Sequence, residues 1–351
     1  MKTSQNADHS AAVNGRWAAL PKVDLHRHLD CSIRPQTLRE LLMSAGVEVP
    51  SDPSAFASRY LVKEPMTDLG SVLKKFTAAQ KALSSESILT RVTRECIEDA
   101  AAEGIRILEL RYAPTFIQDG HPTLTFEKIH RAIILGVKEC EHLHIAVGLL
   151  AIVQRVKPVA VGESVIDFAI EHRESFVGVD LADNEDGFEP KPFEKMFQRA
   201  QAAGLHVTVH AGEAPITSAA ENVLTAINLL GAERIGHGIQ IANPLIPRSG
   251  QILREVVRRK IPLEVCPTSN VLTNAFRSIA SHSVRRLLDA GVQVTINTDD
   301  PGVFDFNLSH EYDALADHLQ FTVNEFERCN ETAARASFIA LSKRQRVWPG
   351  L

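Results

Sequence analysis

Short aliphatic and β-branched runs alternate with amphipathic stretches along most of the chain, which predicts a parallel sheet assembled from strand-helix-strand units. Runs at 105–112, 145–152, 176–181, 205–210, 233–236, 261–265 and 293–297 read as strands, and 23–25 reads as an eighth. Eight parallel strands, each followed by helix, is the count that closes a barrel and leaves no open sheet edge. The expected fold is therefore α/β: a TIM (β/α)8 barrel with extra helices after the first strand and at the C-terminus.

Between the first two strands, Arg34-Pro35-Gln36-Thr37 opens a helix, with proline where the missing N–H costs nothing and Leu38, Leu41 and Leu42 on one face. Residues 50–67, rich in proline, serine and aspartate, read as a loop or lid. A helical pattern follows with Leu69, Val72, Leu73, Phe76 and Leu83, then another over 88–103 that Gly104 ends. Everything after Phe304 reads as helices, with Phe326, Ala333, Ala336 and Phe338 as packing positions. No second pattern and no repeat interrupts the series. Residues 1–351 are thus expected to form one barrel, with 1–20 a flexible or loosely packed N-terminal segment.

Composition narrows the partners. An apolar share of 44% over 351 residues suffices for a large core, and a formal charge of −5 without a basic stripe disfavours nucleic acid. Residues 1–20 are polar and alanine-rich, so neither a signal peptide nor a membrane span is expected, and a cytoplasmic location follows. The five cysteines, at 31, 96, 140, 266 and 329, form no Cys-x-x-Cys pair and are odd in number. They read as reduced thiols. Cys96 shares an apolar helical stripe with Ile88, Val92 and Ala100 and reads as core.

Chemistry gathers where the strands end. In such a barrel the active site is assembled at the C-terminal mouth of the strands. The first strand runs into His26-Arg27-His28, whose histidines are two residues apart and share a face. The run at 205–210 ends in His210-Ala211-Gly212-Glu213, the next in Gly236-His237-Gly238, and the last in Asn297-Thr298-Asp299-Asp300-Pro301. A single metal site explains all four ends together, whereas core histidines would require a separate coincidence at each. Imidazole with carboxylate suits zinc first, with iron, cobalt or manganese left open, and not the all-oxygen sets of magnesium or calcium. A bound metal of this kind brings the pKa of water down to about 7, so hydrolysis leads. Between Asp299 and Asp300 the residues alone do not choose, because neighbours in an extended segment point to opposite sides.

These motifs resemble those of the adenosine deaminase family within the amidohydrolase superfamily. The resemblance rests on Pro21-Lys22-Val23-Asp24-Leu25-His26-Arg27-His28-Leu29-Asp30, on His210-Ala211-Gly212-Glu213, on Gly236-His237-Gly238 and on Thr298-Asp299-Asp300-Pro301. It extends to Asp68-Leu69-Gly70, to Leu108-Glu109-Leu110-Arg111-Tyr112-Ala113-Pro114 and to Glu264-Val265-Cys266-Pro267-Thr268-Ser269-Asn270, nearly the whole chain in the family's order. It implies one zinc ion per chain, bound by His26, His28, His210 and Asp299 with water or hydroxide as a further ligand. It also implies that Glu213 donates a proton to the purine N1, that His237 orients the attacking hydroxide, and that Asp300 hydrogen-bonds the purine N7. Asp30 is implied to accept from the ribose 5′-hydroxyl, against the plainer reading of a helix cap. Substrate contacts are expected from His28, Asp30, Asp183, Gly212 and Asp300. The implied reaction is hydrolytic deamination of adenosine or deoxyadenosine to inosine or deoxyinosine plus ammonia.

Two positions depart from the family pattern. Cys31 stands where glycine is usual, and Asp183 stands where a glycine N–H would meet the purine N3. Both bear on the substrate, and they leave open adenine or a modified adenosine such as aminodeoxyfutalosine. A binuclear amidohydrolase would need a lysine at a strand end, which none carries. A cytidine-deaminase-like site is excluded by the missing Pro-Cys-x-x-Cys. A non-catalytic purine-binding barrel would have no use for Glu213. The sequence leaves the oligomeric state open.

Overall fold

The computed structural model describes residues 15–67 and 69–351. Its eight parallel strands pair in sequence order: β1 (Lys22–His28), β2 (Ile105–Tyr112), β3 (Ala146–Gln154), β4 (Gly178–Ala182), β5 (His206–Ala211), β6 (Arg234–His237), β7 (Leu263–Val265) and β8 (Val294–Ile296). The seam between the last and first strands closes just beyond β8. There the His28 N–H donates to the Asp299 carbonyl and the Asp299 N–H to the His26 carbonyl, each at 2.8 Å. The eight strands and the barrel are as expected from the pattern. β1 runs further than the apolar run 23–25 because Arg27 and His28 still pair with Leu110 and Arg111 through their backbones.

Several buried strand positions are charged. Arg111 donates to Asp180 Oδ2 (2.7 Å) and Glu264 Oε2 (2.8 Å), while Arg234 donates to Glu264 Oε1 (2.6 Å) and to Glu109. All five side chains are at most 1% exposed. Such charges persist in an interior only when paired, so this lattice forms a rigid polar floor beneath the strand ends.

The surrounding helices follow the apolar periodicity, with two departures. The segment 50–67 is not only loop. It holds the helix Pro53–Tyr60, started by Asp52, whose carboxylate accepts from the Ala55 N–H at 2.7 Å, and anchored by buried Phe56 and Tyr60. The Asp52-Pro53 pair is an N-cap followed by an N1 proline. The pattern expected over 69–83 divides into Leu69–Lys75 and Thr77–Ala82. Asp68 of the Asp-Leu-Gly motif and residues 1–14 of the N-terminal segment lie outside the described residues. In the remainder of that segment Trp17 is an anchor between exposed neighbours: it is 3% exposed, its Nε1 donates to Asp313 (2.7 Å) and its ring meets Phe326 edge-on at 4.9 Å. At the C-terminus Leu308–Leu319, Val323–Ala336 and Leu341–Gln345 cover the barrel, burying Phe326, Ala333 and Phe338. Among the described residues no helix is long and apolar enough to cross a membrane.

Candidate metal centre and active site

β1, β5 and the turn after β8 bring His26, His28, His210 and Asp299 together. His26 Nε2 and His28 Nε2 lie 3.2 and 3.3 Å from Asp299 Oδ1, and His28 Nε2 lies 3.2 Å from His210 Nε2. The four ligand atoms fall within 4.8 Å of one another. Their tautomers follow from what stands behind them. His26 Nδ1 meets Glu264 Oε2 at 2.8 Å and His210 Nδ1 meets Asp180 Oδ1 at 3.0 Å. A carboxylate only accepts, so each Nδ1 carries the hydrogen and each Nε2 turns a lone pair toward the cluster. Lone pairs converging this closely repel unless a cation lies among them, and the buried His26 Nε2 has no hydrogen-bond partner. Three nitrogens and one oxygen fit a divalent transition-metal cofactor.

Local backbone choices make the convergence possible. Asp299 adopts φ +65°, a conformation costly for a side-chain-bearing residue, and this turns its carboxylate back toward the histidines. Ser269 Oγ donates to Asp299 Oδ2 at 2.6 Å, leaving Oδ1 for the cluster. Gly236 leaves room for the rings, since a Cβ there would sit 3.0 Å from His26 Cε1 and 3.2 Å from the His210 backbone and would press on both. Burial alone would raise the Asp299 carboxyl, but His26 and His28 hold it well below the usual carboxylate range. Burial likewise draws His210 down to about 4 against the pull of Asp180.

Glu213 and His237 stand beside this cluster. His237 Nε2 is 3.5 Å from Glu213 Oε2 and 3.9 Å from Asp299 Oδ2. Burial, reinforced by Asp299 and Glu185, pushes the Glu213 carboxyl well above its ordinary range, while burial pulls His237 far down and keeps it neutral. The loop that carries Glu213 is pinned by Glu185, whose carboxylate accepts the N–H groups of Gly212 (3.0 Å), Glu213 (2.8 Å) and Ala214 (2.7 Å). Thr273 Oγ1 donates to Glu213 Oε1 at 3.3 Å.

The other expected contacts divide. Asp300 is buried with Oδ1 unpartnered, and burial beside Asp299 and Asp30 raises its carboxyl well above the usual range. Asp30 is 5% exposed within the turn Leu29–Cys31 and caps no helix: its Oδ2 accepts from the Ala113 N–H at 3.1 Å, tying the end of β1 to that of β2. Cys31 is buried against Asp300. Asp183 adopts φ +85°, and its carboxylate accepts from Gln154 Nε2 (2.9 Å) and from the Asn184 N–H (2.7 Å), so the charge is drawn toward β3. Gly212 donates its N–H to Glu185 and its carbonyl accepts the Gln240 N–H (2.9 Å), so in this structure its backbone shapes the loop that carries Glu213.

The sequence profile described as Adenosine deaminase matches residues 21–350. The chain belongs to the adenosine deaminase family. An adenosine deaminase of Clostridium acetobutylicum is 35% identical over 91% of this chain and 93% of its own length. Among solved structures, adenine deaminase from Arthrobacter aurescens superposes with a TM-score of 0.83 at 27% identity, covering 93% of this chain and 96% of that one. An amidohydrolase from Burkholderia ambifaria with bound Zn gives 0.83 at 25% identity, covering 97% and 91%.

This member of the adenosine deaminase family also employs residues to which the sequence assigned no role. Asp180 and Glu264 orient the histidines from behind, and Ser269, Asn270 and Thr273 reach Asp299, His237 and Glu213 from one short segment. A signal existed for the first two: each is an acid inside an otherwise apolar strand. For Ser269, Asn270 and Thr273 the spacing is uninformative, because only the turn after β7 aims them.

Proposed function

We propose that this hydrolytic deaminase removes the 6-amino group of a purine nucleoside, adenosine or deoxyadenosine, with one zinc ion held by His26, His28, His210 and Asp299. The observation that carries the reading is Glu213, a buried carboxyl kept protonated 3.5 Å from His237 at the rim of the histidine cluster. A ring carbon resists a nucleophile until the adjacent nitrogen is protonated, so Glu213 donates its proton to N1 as the oxygen of water adds to C6. His237 Nε2 faces the same space and steadies the incoming oxygen. Asp300, with an unpartnered oxygen, meets N7. His28, at the open edge of the cluster, borders the substrate. Of the two protons of water, one passes to the C6 amino group, which leaves as ammonia as the C6–N bond breaks, and the other restores Glu213, so substrate and water are converted to inosine or deoxyinosine and ammonia. Zinc, when bound, supplies a Lewis acid that brings the pKa of water down to about 7. The nitrogen-rich donor set and the zinc reported in the Burkholderia relative support that choice of metal.

Asp30 accepts the ribose 5′-hydroxyl in this reading, and Asp183 offers its backbone N–H to N3. A second reading, adenine or a modified adenosine, is favoured by Asp183 and by the likeness to adenine deaminase. A single barrel over 1–351 and a cytoplasmic setting belong to the same proposal, the latter supported by five buried, unpaired thiols. Metal content measured together with ammonia release from adenosine, deoxyadenosine, adenine and aminodeoxyfutalosine tests all of this. We expect one zinc per chain and the fastest release from the first two. A metal-loaded protein inert toward every 6-aminopurine overturns the assignment.

A further inference from the structure

Behind His237 runs a chain of buried hydrogen bonds that ends on a group whose polarity is fixed. The Val284 N–H points at His282 Nδ1 (3.1 Å), His282 Nε2 meets Asn270 Oδ1 (3.2 Å), and Asn270 Nδ2 meets His237 Nδ1 (3.1 Å). The three side chains are at most 3% exposed, so each is cut off from bulk water and depends on the partners named. A backbone N–H can only donate, so His282 Nδ1 is bare and its hydrogen lies on Nε2. That hydrogen must go to an oxygen, which fixes the Asn270 amide with Oδ1 toward His282 and the NH2 toward His237. His237 Nδ1 then accepts, and a neutral His237 carries its hydrogen on Nε2. Phe276, its ring centroid 4.5 Å from that of His282 and tilted by 46°, packs against that ring, and burial beside Arg286 draws His282 down to about 3, so it stays neutral.

We propose that His282 and Asn270 are positioning residues that transmit the polarity of the Val284 amide to His237 and hold its hydrogen on Nε2, facing the reaction space. Two consequences follow. His237 presents an N–H, with no lone pair for a base, to the space it shares with Glu213 Oε2 (3.5 Å) and Asp299 Oδ2 (3.9 Å), where it can donate to the attacking oxygen. It is also kept off the metal, although it forms a second close trio with Cys266 and Asp299. The role of this tautomer in turnover rests on the deaminase reading; the tautomer itself does not.

The test is a long-range 1H–15N correlation spectrum of zinc-loaded protein labelled at histidine nitrogen, with the His237 signals assigned by their loss in His237→Asn. We expect the hydrogen on Nε2; a hydrogen on Nδ1 overturns the proposal without any variant being needed. Asn270→Asp places a carboxylate that only accepts beside both rings, so the His237 hydrogen moves to Nδ1. kcat then falls by about 10² or more with KM little changed, since a wrong histidine tautomer costs roughly 10⁴ in a serine protease triad. An unmoved hydrogen and a wild-type kcat in that variant also overturn it. His282→Gln, which still accepts from Val284 and donates to Asn270, keeps the Nε2 signal, whereas His282→Leu gives a mixture of both tautomers. An Nε2 hydrogen in a protein that releases no ammonia supports the relay and removes the deaminase reading, and an Nδ1 hydrogen in an active deaminase does the reverse.

Discussion

Glu213 has to hold a proton near neutrality, and burial together with Asp299 and Glu185 makes that possible. Because the acid is active while protonated, its donor is present at neutral pH and lost as pH rises through the raised pKa, so kcat/KM should fall on the alkaline side. Glu213→Gln should retain its metal while kcat drops about 10²- to 10⁴-fold, the usual worth of a positioned general acid. Turnover near wild type would end the proton-donor role. Behind the ligands, Glu264 accepts from His26 and from two buried arginines. Glu264→Gln should weaken zinc binding about 10- to 100-fold, read by competition with a chromophoric chelator. It should also lower Tm, because Arg111 and Arg234 lose a counter-charge. Unaltered affinity would show that His26 needs no carboxylate to orient it.

The turn after β7 shows how a whole element can be set by one buried side chain. The short helix Pro267–Leu272 and Thr273 aim three side chains at Asp299, His237 and Glu213, and Glu311 hooks that helix by accepting from the Thr268 N–H (2.9 Å) and Oγ1 (2.9 Å). Burial pushes the Glu311 carboxyl up to about 8 against the help of Thr268. The folded protein keeps this proton up to that pH while the unfolded chain releases it near the ordinary 4.5, so stability declines as pH rises between the two. Glu311→Gln retains an acceptor for Thr268 and should flatten the decline: the drop in Tm between pH of about 5 and about 8 should be smaller than in wild type. An equal drop would place the titration elsewhere. At the other side of the barrel, Trp17 clamps the start of the described chain onto Asp313 and Phe326. Trp17→Ala should cost about 3–5 kcal/mol in urea unfolding. A cost under about 1 kcal/mol would mean that this anchor contributes nothing beyond a surface contact.

Across the molecule, the candidate ligands belong to β1, β5 and the end of β8, which makes the metal a tie across the seam where the barrel closes. Removing it with a chelator should lower Tm, and restoring zinc to a hundredfold above its dissociation constant should return about 2.7 kcal/mol. Loss of metal without a change in Tm would show that the seam holds by its backbone hydrogen bonds alone. The eight strands were legible because alternating strand and helix patterns are local, and the candidate ligand cluster because histidines and acids ended several strands at once. One local signal misled, since Asp52-Pro53 began a helix that composition read as loop, and the anchoring of Trp17 was not legible because its partners lie some 300 positions away in the chain. What the sequence by itself determined is the inventory: the strand order, the residue types at the mouth, and the chemistry those types can support. What only the tertiary structure decided is direction. Which aspartate turns inward depends on φ at Asp299, which nitrogen of each histidine is bare depends on Asp180 and Glu264, and the polarity at His237 depends on an amide at Val284. Hydrogen bonds carry direction between atoms that are neighbours in space, and the spacing of residues along a chain does not encode it.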